Sequence, residues 1–181
     1  MSVTFSEKTQ INENALGNAW AVDSLIIAET ADIALDKMKT LNFKNSAVVI
    51  KTELPKDPIE VSKLLENAPY LWGGNTSLGI DCSGLIQISL LLCGVDCPGD
   101  SDQQMNTLGD NLDVGSPRKK GDILFWKGHV AWAVNERQIL HANAYHMATV
   151  IEEANEAIER IKKQDKNSVI AHKRLKGELY E

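Results

Sequence analysis

Residues 81–92 read DCSGLIQISLLL, and from Leu85 onward only two of these side chains are polar. The length of this apolar run, with Gly94 shortly after it, predicts a buried helix that begins near Cys82 and ends before the glycine. At the first turn of a helix, unpaired N–H groups and the positive end of the dipole lower the pKa of a thiol. The sequence therefore predicts that Cys82 is a nucleophile, with a buried structural cysteine as the alternative.

Four glycines frame this cysteine, at positions 73, 74, 79 and 84. Glycine permits close approach of another backbone, so we expect these residues to admit a substrate to the helix start, where free N–H groups can bind an oxyanion. The other two cysteines, Cys93 and Cys97, have nothing basic or glycine-rich around them, and we interpret them as structural. The three cysteines indicate neither a disulfide framework nor a structural zinc site.

A thiol nucleophile needs a base, and His129 and His141 lie on two predicted adjacent strands that are separated by a turn. Because side chains alternate along a strand, the two imidazoles face the same side only if the hairpin pairs residues whose numbers sum to an even value. One imidazole can then take the thiol proton while the other orients it. The alternative is that His129 and His141 are strand histidines with no role in the chemistry. We interpret His146 and His172 in that way.

The same thiol and two imidazoles can also ligate zinc, with water in the fourth position. Zinc sites usually contain a close pair of ligands, and Cys82, His129 and His141 contain none. We therefore favour catalysis by the side chains alone and predict no metal and no other cofactor.

Length and composition restrict the class of protein. The chain has 181 residues, of which 43% are hydrophobic and 24% charged, as expected for one packed domain with a small appendage. The net charge is -6 and no Lys/Arg run forms a phosphate-binding stripe, which argues against nucleic acid as a partner. No segment approaches the roughly 20 apolar residues of a membrane span or secretory core, so we expect no membrane contact and a cytoplasmic location. The sequence does not indicate an oligomeric state.

The predicted elements change character along the chain. Helices come first and an antiparallel meander follows, which predicts an α+β fold with a separate N-terminal segment at 1–55 and a main domain at 56–181. The predicted strands are 21–27, 46–51, 122–126, 130–134, 138–142, 149–151 and 169–172; the predicted helices are 57 to about 66, 82–92, 100–107 and 153–163; residues 109–120 are predicted as loop.

Four blocks occur together in an order that resembles the NlpC-type cell-wall cysteine peptidases. They are YLWGG at 70–74, DCSGL at 81–85, GHVA at 128–131, and then His141. The resemblance covers about residue 57 to the C-terminus. It implies a reduced papain-like fold in which helices pack on an antiparallel sheet, and a Cys82, His129 and His141 triad. It also implies hydrolysis of the amide between γ-D-glutamate and diaminopimelate or lysine in murein peptides, during recycling of the cell wall.

The same resemblance assigns further residues to the substrate. Tyr70 is expected beside the nucleophile, and Asp81 and Ser83 are expected to contact the substrate. Asp100 and Ser101 match a further substrate-binding motif, although relatives commonly have arginine where this chain has Gly99. Relatives also carry SH3-like domains ahead of the catalytic domain, and the N-terminal segment is long enough for at most a partial one.

Overall fold

The computed structural model describes residues 25–28, 47–50 and 55–175. Contacts between Cα atoms divide the chain into one unit at Met1–Leu54 and another at Pro55–Glu181. In the first unit, β1 (Leu25–Ala28) and β2 (Ala47–Ile50) pair in parallel. The predicted partial SH3-like segment falls mostly on residues outside the described ranges, so it stays a prediction, as do the predicted domain limits.

Within residues 55–175, the second unit combines four helices with a six-stranded antiparallel sheet of order β5-β10-β6-β7-β8-β9. In chain order its elements are α1 (Pro58–Lys63), β3 (Asn75–Thr76), β4 (Gly79–Ile80), α2 (Cys82–Leu92), α3 (Ser101–Thr107), β5 (Asp110–Leu112), β6 (Asp122–Trp126), β7 (His129–Ala133), β8 (Gln138–Asn143), β9 (Ala148–Glu153), α4 (Ala154–Asp165) and β10 (Ala171–Arg174). The predicted α+β class is confirmed. No helix within the described ranges has the length and apolar character needed to cross a membrane.

Helix α2 occupies the core, as its apolar run predicts. Leu85, Ile86 and Leu90 are fully buried against the sheet, and Gly94 ends the helix with a positive φ of 81°. The two polar side chains in the run are also buried and each is satisfied by a hydrogen bond. The indole of Trp132 on β7 donates to Ser89 Oγ over 3.2 Å, and Gln87 Nε2 donates to the carbonyl of Cys97 over 3.1 Å. These polar residues therefore position the helix instead of interrupting it.

The β7–β8 register decides which side chains share a face. Trp132 pairs with Leu140 and Ala133 with Ile139, so the residue numbers sum to an even value. Trp132 belongs to the core beneath α2, whereas Ile139 belongs to a second core formed with α4. His129 and His141 have the parity of Ala133 and Ile139, so the predicted condition for a shared face is met.

Several element limits differ from the predictions. Helix α1 is capped by Asp57 as predicted but ends at Lys63, because the next three residues bond three positions back and form turns. The predicted loop at 109–120 contains strand β5, which pairs with β10. Strand β10 lies at Ala171–Arg174, later than predicted. Both strands form through long-range pairing, which a local hydrophobic pattern does not reveal.

A buried carboxylate joins β6 to β10. Asp122 is fully buried and accepts from His172 Nε2 over 2.8 Å, from Arg174 Nε over 2.6 Å and from the N–H of Lys119 over 2.8 Å. Burial alone would raise the pKa of Asp122, but its bonds to Arg174, Lys119 and His172 together hold the pKa below its usual value. His172 is thus a structural histidine, as predicted.

We expect Asp122→Asn to lower the free energy of unfolding by about 3 kcal/mol at neutral pH, because a neutral amide leaves Arg174 and His172 without their buried anion. Urea titration would measure the loss, with exposed Asp113→Asn as the control within about 0.5 kcal/mol of wild type. Because the folded-state pKa of Asp122 is lowered, the stabilisation is present at neutral pH and disappears as the pH falls through that pKa. An Asp122→Asn protein as stable as wild type would contradict this assignment.

Candidate active site

Cys82 is the first residue of α2, and Asp81 before it is the N-cap. The Asp81 carboxylate accepts from the N–H of Gly84 over 2.7 Å, from the hydroxyl of Ser83 over 3.1 Å and from the N–H of Gly73 over 2.7 Å. These bonds fasten the preceding loop to the helix start. Asp81 and Ser83 therefore have a structural role, and the substrate contacts expected of them stay a prediction.

The glycines around Cys82 allow the protein's own backbone to approach closely. A Cβ atom on Gly74 would lie 2.5 Å from the carbonyl oxygen of Gly79, and one on Gly84 would lie 2.4 Å from that of Gly74. Both contacts are too short for any side chain, so glycine is required for the loop to pack on α2. The expectation that these two glycines make room for a substrate is therefore corrected.

The thiol lies where β7 and β8 separate. Their ladder stops at the pair Trp132–Leu140, although both strands continue toward His129 and Asn143. The N–H of Val130 is directed at the Cys82 sulfur, together with the N–H groups of Ser83 and of Cys82 itself. The sulfur thus lies near Val130, the residue that follows His129 on β7.

The predicted lowering of the thiol pKa is wrong. Burial of Cys82, followed by the negative charge of Asp81, raises its pKa to about 11, although the N–H groups of Val130, Ser83 and Cys82 lower it in part. The cap carboxylate and the loss of water outweigh the helix start. With its pKa raised to about 11, the side chain is mainly a neutral thiol at neutral pH.

The two imidazoles are directly hydrogen-bonded. His129 Nε2 lies 2.8 Å from His141 Nδ1, which leaves Nδ1 of His129 as the nitrogen that can exchange a proton with the thiol. Burial, and then the neighbouring His141, lowers the pKa of His129 to about 3. Burial also lowers the pKa of His141. Both rings are consequently neutral at rest and able to accept a proton.

A carboxylate that we did not predict completes the arrangement. Glu152 Oε1 lies 2.6 Å from His141 Nε2, and Arg160 donates to both oxygens of Glu152 over 2.6 Å. Burial raises the pKa of Glu152, but Arg160 and then His141 dominate and lower it to about 2. The arginine also stacks on Tyr145, with its guanidinium carbon 4.3 Å from the ring centre. Glu152 is therefore a carboxylate anion that accepts hydrogen bonds from both Arg160 and His141.

The carboxylate fixes the direction of the whole chain of hydrogen bonds. An ionised Glu152 can only accept, so His141 Nε2 donates to it and His141 Nδ1 must accept. His129 Nε2 then donates to that nitrogen, and His129 Nδ1 carries the lone pair needed by a base. This arrangement can remove a proton from a thiol, stabilise the resulting imidazolium and return the proton to a leaving group.

The remaining predicted residues lie around this centre. Burial, and then the charges of Cys82 and Asp81, raise the pKa of Tyr70. Its expected place beside the nucleophile stays a prediction. Asp100 precedes α3, but its side chain makes no capping bond, and Ser101 begins that helix. Instead Gln104, also on α3, donates to the carbonyls of Ser83 and Pro98 over 2.9 Å. Substrate contacts of Asp100 and Ser101 stay a prediction.

Parts of the chain match known proteins. Residues 67–167 match the model of the NlpC/P60 family. Among curated relatives, the chain is 39% identical over 83 residues to Dipeptidyl-peptidase 6 of Lysinibacillus sphaericus, covering 41% of this chain and 27% of the relative. It is 31% identical over 108 residues to Gamma-D-glutamyl-L-lysine dipeptidyl-peptidase of Bacillus cereus, covering 55% of this chain and 32% of the relative. The chain thus spans about a third or less of the length of these relatives.

Solved structures also superimpose on this chain. An NlpC/P60 family protein from Bacillus cereus superimposes with a TM-score of 0.56 at 26% identity, over 68% of this chain and 41% of that one. The NlpC/p60 domain of the peptidoglycan hydrolase SagA superimposes with a TM-score of 0.53 at 25% identity, over 65% of this chain and 96% of that one. Since the family model spans more than half of the chain and these structures share its catalytic-domain fold, the chain belongs to the NlpC/P60 family.

Proposed function

We propose that this chain is a cysteine peptidase that cleaves the amide bond between γ-D-glutamate and a diamino acid, diaminopimelate or lysine, in murein peptides. The observation that carries the proposal is the directional chain of hydrogen bonds from Glu152 through His141 to His129, beside a thiol that receives the Val130 N–H. Membership of the NlpC/P60 family and the name of the Bacillus cereus relative support the choice of bond.

The proposed reaction has two halves. His129 Nδ1 takes the proton of Cys82 as the sulfur attacks the amide carbon, and the oxyanion forms near the N–H groups at the start of α2. The C–N bond then breaks, and His129 returns the proton to the leaving amine, so that a thioester remains on Cys82. In the second half, His129 takes a proton from water as the water attacks the thioester, and the proton returns to the departing sulfur.

Two other functions fit parts of the same site. An amidase or acyltransferase would use the same thiol and imidazoles on a different acyl group, because the triad acts on any such carbonyl. A murein-peptide binder without catalysis would bind the same peptides but has no use for a base aligned by Glu152. We also propose that the peptidase acts in the cytoplasm on peptides recovered from the cell wall; fractionation that finds the protein outside the cytoplasmic membrane would contradict that location.

We expect Cys82→Ala to abolish release of free amine from γ-D-glutamyl-diaminopimelate peptides, because no other group can form the thioester. Mass spectrometry of the products would measure the loss, and Cys93→Ala would serve as a thiol control that keeps activity. If the wild-type protein binds the peptide without cleaving it, the result would favour a murein-peptide binder without catalysis. Activity that a chelator abolishes and thiol alkylation does not would favour a zinc enzyme.

We expect alkylation of Cys82 by iodoacetamide to rise about tenfold per pH unit between pH 7 and pH 10, because only the thiolate reacts and the pKa of Cys82 is raised to about 11. A Cys93→Ala/Cys97→Ala variant isolates this thiol, and mass spectrometry follows the reaction. A rate that stops rising near neutral pH would show a thiolate–imidazolium pair at rest and overturn the neutral resting state.

We expect Glu152→Gln to lower kcat about a hundredfold with a smaller change in KM, because a neutral amide does not stabilise the imidazolium that forms during catalysis. Steady-state kinetics measure this effect, and nitrogen NMR of the imidazoles reports whether His141 keeps its proton on Nε2. The control is Glu153→Gln, since Glu153 caps α4 by accepting the N–H of Glu156 over 2.8 Å outside the chain of imidazoles. Equal loss in both variants would show that Glu152 matters only for folding.

A further inference from the structure

An indole ring lies against the imidazole of His129. Trp126 on β6 pairs with His129 on β7, so the two side chains are cross-strand neighbours on one face of the sheet. The centroids of the two rings are 5.4 Å apart, and their planes meet at 46°. This separation is within the roughly 6 Å over which an indole attracts a cation. The contact thus places a π system beside the group that is proposed to take the thiol proton.

The indole is fixed in this position by the second core. Trp126 is 1% exposed. The other buried members of its cluster are Leu124, Ala131, Ile139, Ala154, Ala157 and Ile161. The turn that joins β6 to β7 is held as well, because the side chain of Asn167 accepts from the N–H of Lys127 over 3.2 Å and donates to its carbonyl over 2.9 Å. The contact between the two rings is therefore preorganised before any charge develops.

Hydrogen bonding does not account for a tryptophan at this position. Trp126 Nε1 is buried and has no hydrogen-bond partner in the part of the chain that the structure describes. An unpaired buried donor is costly, and a phenylalanine ring would not carry one. By contrast, the buried indole of Trp132 donates to Ser89 Oγ over 3.2 Å. What the indole offers at position 126 is its π face, which attracts cations more strongly than the face of tyrosine or phenylalanine.

His129 carries a positive charge only during the proposed reaction. Its pKa is lowered to about 3 by burial and then by His141; Glu152 raises this pKa and Arg160 lowers it. The Glu152 carboxylate bonds to His141 Nε2, so it acts on His129 through the intervening ring. A group in direct contact with His129 that stabilises the cation without charging the ring at rest would lower the barrier further.

An aromatic face meets this requirement. Its quadrupole attracts a cation more strongly than a neutral imidazole, so the contact strengthens as the proton moves from Cys82 to His129. An interaction that is stronger in the transition state than in the ground state raises kcat. A carboxylate at the same place would instead favour a protonated His129 at rest and remove the free base. An aliphatic side chain would leave the new charge without support.

We propose that Trp126 is a positioning residue that acts through His129, and that its ring face stabilises the imidazolium formed when His129 Nδ1 takes the proton of Cys82. The inference rests on the proposed thiol chemistry and adds a residue to it. The indole neither gives nor takes a proton, so the balance of the reaction is unchanged. Because the imidazolium forms in both halves of the reaction, the indole contributes to formation of the thioester and to its hydrolysis.

Fluorination tests this electrostatic role with little change in packing. Suppression of an amber codon at position 126 inserts tryptophan or its mono-, di- and trifluorinated forms into the full chain, and each fluorine withdraws electron density from the ring face. We expect kcat on γ-D-glutamyl-diaminopimelate peptides to fall with each fluorine, about tenfold in total, with little change in KM. Thermal unfolding of each protein reports whether the fold is kept.

The matched control is a series of fluorinated phenylalanines at position 125. Phe125 is fully buried on the same strand as Trp126 but belongs to the core beneath α2, so its fluorination should leave kcat unchanged. A kcat that stays constant or rises across the series at position 126 would overturn the inference. An equal fall in the two series would do the same, because it would show a general effect of fluorine in the core.

A wild type that cleaves none of the peptides would end the proposed choice of substrate, and the inference is then tested on another acyl donor. Acylation by p-nitrophenyl acetate serves here, because attack by Cys82 on this ester also transfers the thiol proton to His129. A stepwise fall in the release of p-nitrophenol across the series at position 126 supports the inference. A constant rate, or a wild-type rate no faster than that of Cys82→Ala, overturns it.

Discussion

The separation of β7 from β8 beyond the pair Trp132–Leu140 is the constraint on which the site depends. A complete ladder would direct the Val130 N–H at a β8 carbonyl and close the space that the Cys82 sulfur now occupies. With the ladder open, the start of α2 reaches the sheet between the two strands that carry the imidazoles. The helix must then be fixed firmly, and the bond between Ser89 and Trp132 and the cap at Asp81 do so from opposite ends.

Burial also determines the protonation states of the site. Removal from water raises the pKa of Cys82 and lowers the pKa of His129, so both groups are neutral at neutral pH. Charge separation inside such a site is costly without a fixed counter-charge. Glu152 supplies one next to His141, and Arg160 keeps it ionised and in place. The bidentate pair thus explains how a dry triad can still form an imidazolium during catalysis.

Local periodicity was sufficient for part of this arrangement. The apolar run after Cys82 specified the buried helix, and the alternation of side chains along β7 and β8 specified that His129 and His141 share a face once the register is even. Glu152 was missed because the predicted strand ended at 151 and the next helix began at 153, whereas β9 extends to Glu153. Its approach to His141 depends on the β8–β9 register, which pairs Ile139 with Glu152 and has no local signature.

The prediction of a lowered thiol pKa was wrong for a related reason. The helix start is visible in the sequence, but burial and the position of the Asp81 charge are tertiary properties. Cys82 lies at the start of α2, and the two imidazoles and Glu152 lie on β7, β8 and β9, where pairing and packing of the sheet fix them.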